Sequence, residues 1–190
     1  TSEATGQIGI DLGLKTTAVC SDGFILARGE FYRSQEKKLG IAQRAKNKKR
    51  IKAIHAKIKN RRLDANHKFS TQLVENNSLI VVGNVSSSKL AKTKMAKSVL
   101  DAGWHMLKTQ IEYKSKAMQS VFIEVNEANT TRMCSSCQVI PDSSPKGMGM
   151  LGIREWICTE CGTAHDRDIN SAKNILALGH ERLAVGIPCL

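Results

Sequence analysis

Four cysteines in two close pairs constrain this chain more than any other feature. Cys134 and Cys137 flank Ser-Ser, Cys158 and Cys161 flank Thr-Glu, and twenty residues lie between the pairs. In a C-x2-C knuckle both sulfurs reach one ion, and two such pairs complete a thiolate tetrahedron around Zn at about 2.3 Å. Gly162 follows the second pair, as a knuckle turn favours; Gln138 holds the matching place after the first. Four cysteine ligands leave no position for water, so the ion is structural and the segment around it is too small to fold without it. Such grouping also points to a reducing compartment rather than to a disulfide framework. Cys20 and Cys189 are left over, one as a small buried hydrophobe and one as a tail residue.

Around this segment the chain alternates strands and helices. Ile8, Ile10 and Leu12 alternate with Gly9, Asp11 and Gly13, and Thr16 to Cys20 is β-branched and apolar. Ser21-Asp22-Gly23 is a turn, Phe24 to Ala27 resumes as a strand, and a third strand is expected around Phe31-Tyr32. Leu79 to Val85 is an almost wholly apolar run, the pattern of a strand buried on both faces. Ser86 to Lys97 reads as a loop with a basic stretch, Lys89 to Lys97. Ser98 to Met118 reads as one helix with Leu100, Trp104, Leu107, Ile111 and Met118 on a face, Ser120 to Val125 as a strand, and His165 to Leu178 as a final helix. This order predicts a mixed α/β layered fold.

Between Arg33 and Lys68 fourteen Lys or Arg face two acids, with no Pro and one Gly. Leu39, Ala42, Ala45, Ile51, Ile54 and Ile58 recur at helical steps, so the stretch reads as helix with one apolar stripe, continued by Ser70 to Val74. An ordinary exposed helix mixes both signs of charge; one sign alone favours contact with nucleic acid. The whole chain, 190 residues at +12, is consistent with that. Aromatics at 4% are too few for recognition by stacked bases. No run approaches ~20 apolar residues, so no membrane span is expected, and no signal peptide is visible.

Hydrolysis of phosphodiesters commonly uses acids that hold two divalent ions ~3.5–4 Å apart. Three candidates come from separate segments. Asp11 lies in the first strand among apolar residues, where an unpartnered carboxylate would be costly. Asp168 sits at a helix start, which favours a carboxylate in any case. Glu127 follows the strand Ser120 to Val125 and on its own is an ordinary surface acid.

Taken together, GIDLGLKTTAVCSDG, RRLDANHKFST, AKSVLDAGWHMLKTQIEYKSKA, TTRMCSSC, CTECG and HDRDINSAKNIL resemble, in order, the C-terminal half of TnpB proteins. These are transposon-encoded, RNA-guided DNA endonucleases related to type V CRISPR effectors. The resemblance implies an RNase H-like RuvC nuclease domain over 1–129 and 164–190, with the basic helical segment at 33–68, and a zinc ribbon inserted at 130–163. It implies Asp11 and Asp168 as the first and last metal-binding acids and Cys134, Cys137, Cys158 and Cys161 as the ribbon ligands. It also implies two Mg ions, a DNA target, a guide RNA, and a prokaryotic, cytoplasmic, nucleoid-associated setting. Phosphate contacts are expected from Arg44, Lys48, Lys49, Arg50, Lys52, Arg61, Arg62, Lys89, Lys92 and Lys94. The family's N-terminal half, an RNA-binding wedge with a helical recognition region, has no counterpart here. A separate chain, or a missing N-terminal half, is expected to supply it.

One departure is chemical. In most relatives the strand matching LIVVGNV ends in Glu-Asp, and that Glu is the middle catalytic acid; here the positions hold Gly83 and Asn84. Either the nuclease is dead or another acid replaces it. The strand Ser120 to Val125 should lie beside Leu79 to Val85, so Glu127 can reach the same metals, whereas Glu124 should face the other way. The expectation is a Mg-dependent endonuclease with its middle acid relocated to Glu127. Two alternatives remain open: a nuclease-dead, RNA-guided DNA-binding protein, and a plain zinc-ribbon module that binds nucleic acid.

Overall fold

The computed structural model describes residues 4–85, 96–146, 150 and 152–186. Five strands form one sheet: β1 (Gly6–Leu12), β2 (Thr16–Cys20), β3 (Ile25–Ala27), β4 (Asn77–Gly83) and β5 (Val121–Val125). Their spatial order is β3-β2-β1-β4-β5. The first three run antiparallel as a meander; β4 lies parallel to β1, and β5 parallel to β4. Each parallel pairing needs a crossover, and helices supply the long ones.

Alternation along β1 decides what each face meets. Ile8, Ile10 and Leu12 join Phe69 and Leu73 of α2 (Lys48–Asn76) and Trp104, Leu107 and Ile111 of α4 (Trp104–Ala117) in the larger core. Val99 of α3 (Ala96–Ala102) belongs to the same cluster. Gly9 and Asp11 face the opposite side, covered by α5 (Arg167–Ala184). There Leu79, Val81, Ile123 and Val125 pack with Ile175. Helix α5 approaches so closely that a Cβ on Gly9 would meet the Ala172 carbonyl, and one on Gly179 would meet Val81. β4 is buried on both faces, as its continuous apolar run requires.

The basic stretch is two helices rather than one. A 3-10 turn (Arg33–Gln35) leads into α1 (Glu36–Arg44), and the chain then reverses at Lys46 (φ 50°) before α2. Asn47 caps α2, its Oδ1 accepting from Arg50 N at 3.0 Å. Folding back lets Leu39 and Ala42 pack on Ile54 and Ile58, which a straight helix could not do. Ala45 is left exposed at the bend. The expected strand at Phe31-Tyr32 is a turn: both rings join this third cluster, and Tyr32 N donates to Asp101 Oδ1 at 2.9 Å.

Residues 98–118 likewise divide, at Gly103 in the left-handed region (φ 65°). The break turns Leu100 outward, 64% exposed, and brings Val99 into the core instead; Met118, 54% exposed, lies just past the end of α4. Ser86 to Met95, expected as loop, lie outside the described residues; Ala96 and Lys97 already belong to α3. The last helix starts at Arg167, two residues later than His165, and runs on to Ala184. Gly179 does not end it because that glycine is a packing contact with Val81. Between the sheet and α5, β6 (Glu155–Ile157) and β7 (Ala164–Asp166) form an antiparallel hairpin. Among the described residues no helix is long and apolar enough to cross a membrane.

Candidate active site and cysteine cluster

Each cysteine pair sits on the same kind of turn. Cys134 N donates to Val139 O at 2.9 Å and Gln138 N to Cys134 O at 2.8 Å. In the second knuckle Cys158 N donates to Thr163 O at 2.9 Å and Gly162 N to Cys158 O at 2.8 Å. The residue after each pair has positive φ, 73° at Gly162 and 61° at Gln138. Gln138 bears the strain of a side chain there and is steadied by Nε2 donating to Ser135 O at 3.1 Å. All four Sγ atoms lie within 4.8 Å of one another. Cys134 and Cys161 are 3.6 Å apart, Cys137 and Cys158 3.8 Å. A tetrahedron with Zn–S of about 2.3 Å has an S···S edge of about 3.8 Å, so this donor set fits a structural Zn ion. His165 Nε2 lies 3.0 Å from Cys134 Sγ, and its ring packs on Trp156.

On the α5 face of the sheet lie three carboxylates, and Asp11 is near enough to Glu127 and Asp168 to feel the charge of both. Asp11 stands near the end of β1, with Ser171 Oγ donating to its Oδ1 at 3.0 Å. Gly83 ends β4 on the same face, and Glu127 lies two residues past β5. A Cβ on Gly83 would stand 2.5 Å from Glu127 Oε2 and 3.3 Å from Glu127 Cβ. The Glu127 side chain therefore fills the space that any side chain at 83 would need. Asp168 comes from the first turn of α5, which Asp166 caps by accepting from Asp168 N and Ile169 N at 2.9 Å each. Its Oδ1 accepts from Arg167 Nη2 at 2.9 Å, and its Oδ2 lies 3.3 Å from Arg154 Nη2.

Electrostatics mark Asp11 and Glu127 as short of positive charge. Burial pushes the Asp11 carboxyl up to about 7, and the neighbouring Glu127 and Asp168 push the same way. The Ser171 hydrogen bond and Arg167 oppose the rise. Burial also raises Glu127, against a smaller pull from Lys108. Glu127 Oε2 is buried with no hydrogen-bond partner among the described residues. An orphaned carboxylate oxygen facing other acids is costly unless a cation joins them, and an all-oxygen donor set suits Mg. Glu124 is on the opposite face, where its Oε2 pairs with Lys108 Nζ at 2.7 Å.

Arg44, Lys48, Lys49, Arg50, Lys52 and Arg61 are exposed along α1 and α2. Arg62 is different: its Nη1 donates to Leu100 O at 2.6 Å and its stem lies beneath Gly103, so it clamps the α3–α4 break rather than facing solvent. Lys89, Lys92 and Lys94 lie outside the described residues.

Several polar residues at the site were not legible as such. Asn170 accepts from Ser135 N at 2.9 Å and donates to Met133 O at 2.7 Å, and Asn174 donates to Thr130 O at 2.8 Å and Met133 O at 2.7 Å. They fasten the first knuckle to α5. The available signal was polar residues on the buried side of an amphipathic helix, since buried polar groups are there to bond something.

Two family models match the chain. Residues 1–94 match OrfB_IS605, described as "Probable transposase", and residues 104–175 match the "Cas12f1-like, TNB domain". A Streptomyces pristinaespiralis protein named "Putative RNA-guided DNA endonuclease" is 31% identical over 96% of this chain and 47% of its own length. The "TnpB-like protein L79" of Acanthamoeba polyphaga mimivirus is 28% identical over 74% of this chain and 27% of its own. The chain thus spans about half the length, or less, of the curated relatives it matches. The fold is similar to one in a "Cas12f1-sgRNA-target DNA complex", with TM-score 0.66 and 20% identity over 89% of this chain and 49% of that one. Both family models and the relatives agree over almost the whole chain: it belongs to the TnpB-like family.

Proposed function

We propose that this chain is the nuclease part of an RNA-guided DNA endonuclease, with Asp11, Glu127 and Asp168 holding two Mg ions. One observation carries the reading: the Glu127 carboxylate lies over Gly83, on the face that Asp11 and α5 share. That is where the resemblance implies a Glu in most relatives, so an acid from the neighbouring strand takes the place. Bound Mg would activate water and stabilise the leaving 3′ oxygen. Asp11 and Glu127 bring negative charge that a bound cation would balance, and Arg154 and Arg167 pair with Asp168.

The rest of the chain then has defined tasks. The cysteine cluster of 130–163 holds Zn for structure, beside a nuclease unit formed by 1–129 and 164–190. Exposed Lys and Arg of α1 and α2 follow the phosphate backbone, which positions a strand without reading it. Sequence is read by guide pairing, and a separate chain or further segment grips the guide RNA and target duplex. A second reading, a nuclease-dead DNA-binding roadblock, rests on Gly83.

Mg-dependent cleavage of single-stranded DNA separates the two. The parent chain should cut, and Asp11→Ala and Glu127→Ala should each abolish cutting, while Glu124→Ala should cut like the parent. Absence of cleavage by the folded, zinc-loaded parent under Mg or Mn supports the roadblock. Cleavage that survives Glu127→Ala but not Glu124→Ala overturns the assignment of the middle acid.

A further inference from the structure

Three acid-bearing segments meet at two hydroxyls. Ser171, one turn into α5 from Asp168, donates from Oγ to Asp11 Oδ1 of β1 at 3.0 Å. Its Oγ lies 2.9 Å from Thr130 Oγ1, and both groups are buried. Thr130 Oγ1 in turn is 2.9 Å from the main-chain O of Glu127, which Thr130 N also reaches at 3.2 Å. The backbone of Thr130 is itself held, its carbonyl accepting from Asn174 Nδ2 at 2.8 Å.

Proton arithmetic assigns direction to this chain. A hydroxyl has one proton to give, so two hydroxyls cannot donate across all three contacts. A carboxylate that holds a cation is ionised and accepts only, which commits the Ser171 proton to Asp11. The Ser171 oxygen then needs a donor, and among the described residues Thr130 Oγ1 is the one within reach. The Glu127 carbonyl then gives up the Thr130 hydroxyl proton at 2.9 Å but keeps Thr130 N, which donates to it at 3.2 Å. Each hydroxyl polarises the next toward the carboxylate.

We propose that Thr130 and Ser171 are positioning residues that fix Asp11 relative to Glu127 and Asp168, and so set the affinity of the acid cluster for divalent cation. This rests on the reading of Asp11 as a cation ligand. Outer groups that orient metal ligands commonly change affinity ~10–100-fold when removed. Thr130 contributes only through Ser171, so the two effects should not add.

Calorimetric titration of the zinc-loaded chain with Mg tests both levels, with the melting temperature and zinc content of each variant recorded alongside. Asp11→Asn should abolish Mg binding; if it does not, the cation site itself is misassigned. Given that loss, Ser171→Ala should weaken Mg binding about tenfold, and Thr130→Val by a smaller factor. Thr130→Ser, which keeps the hydroxyl, should bind as the parent does. In the Ser171→Ala background Thr130→Val should have no further effect. Parent-like Mg affinity in Ser171→Ala overturns the proposal while leaving the acid site standing. So do additive effects, or a Thr130→Ser variant as weak as Thr130→Val.

Discussion

Gly83→Ala is the sharpest perturbation of the proposed site, because it changes one methyl group at a position that bears no chemistry of its own. The new Cβ would stand 2.5 Å from Glu127 Oε2, and ordinary contact starts near 3.4 Å, so the carboxylate must retreat by about 0.9 Å. Ile175 Cδ1, at 3.0 Å, closes the other side. The carboxylate is the far end of a flexible side chain and can swing away, so the cost in stability is modest, about 1 kcal/mol from crowding against Ile175. Function is another matter. Misplacement of a catalytic group by ~1 Å costs about 100-fold in rate, equivalent to about 2.7 kcal/mol of barrier. The assay is single-turnover cleavage of labelled single-stranded DNA under saturating Mg, with a thermal melt of the same sample. A melt within a few degrees of the parent and a rate down about 100-fold is expected. Placing Glu at 83 in a Glu127→Ala chain should return at least tenfold of the rate that Glu127→Ala loses. Gly83→Ala that cuts at the parent rate would refute the reasoning, since the carboxylate would then have no need to lie where it does.

Three further outcomes are expected. Zinc content measured by a chelating dye should be one ion per chain, falling to near zero in Cys158→Ser together with reduced protection from proteolysis across 130–163. The raised Asp11 and Glu127 carboxyls hold their protons more tightly folded than unfolded, so without cation they favour the fold near pH 4, and that advantage fades as pH rises toward about 7. Metal-free Asp11→Asn should therefore melt higher than the parent at pH 8, with the gap shrinking by pH 5, and Mg should raise the parent's melting temperature at pH 8 but not the variant's. Reversing Lys49 and Lys52 to Glu should weaken binding to single-stranded DNA regardless of sequence, and the slope of log K against log salt, read by fluorescence anisotropy, should flatten by about 0.7 for each phosphate that is no longer neutralised.

Alternation and spacing made part of this molecule legible in advance. The Ile8, Ile10, Leu12 pattern placed Asp11 on the opposite face from the main core, and C-x2-C spacing gathered four sulfurs that are far apart in sequence. Glu127 required topology as well: only with β5 beside β4 does a residue past one strand end reach over the end of the other. Breaks within helices were hidden because periodicity continues across them. Lys46 and Gly103 adopt positive φ for tertiary reasons, the packing of Leu39 on Ile54 and of Arg62 against the 100–103 turn, which no local window contains. Arg62 looked like its basic neighbours for the same reason. Hydroxyl pairs such as Thr130 and Ser171 leave no periodic trace, since their meaning lies in a partner forty-one positions away.

The stitching of Thr130 to α5 has a consequence for how such proteins diversify. Asn170 and Asn174, near the start of the helix to which the chain returns, hold the exit of the excursion through the Thr130 and Met133 carbonyls. A loop whose exit and re-entry are tied together at its neck behaves as a cassette. Its length and outer surface can change, or a different module can be swapped in, without altering the register of the strands below.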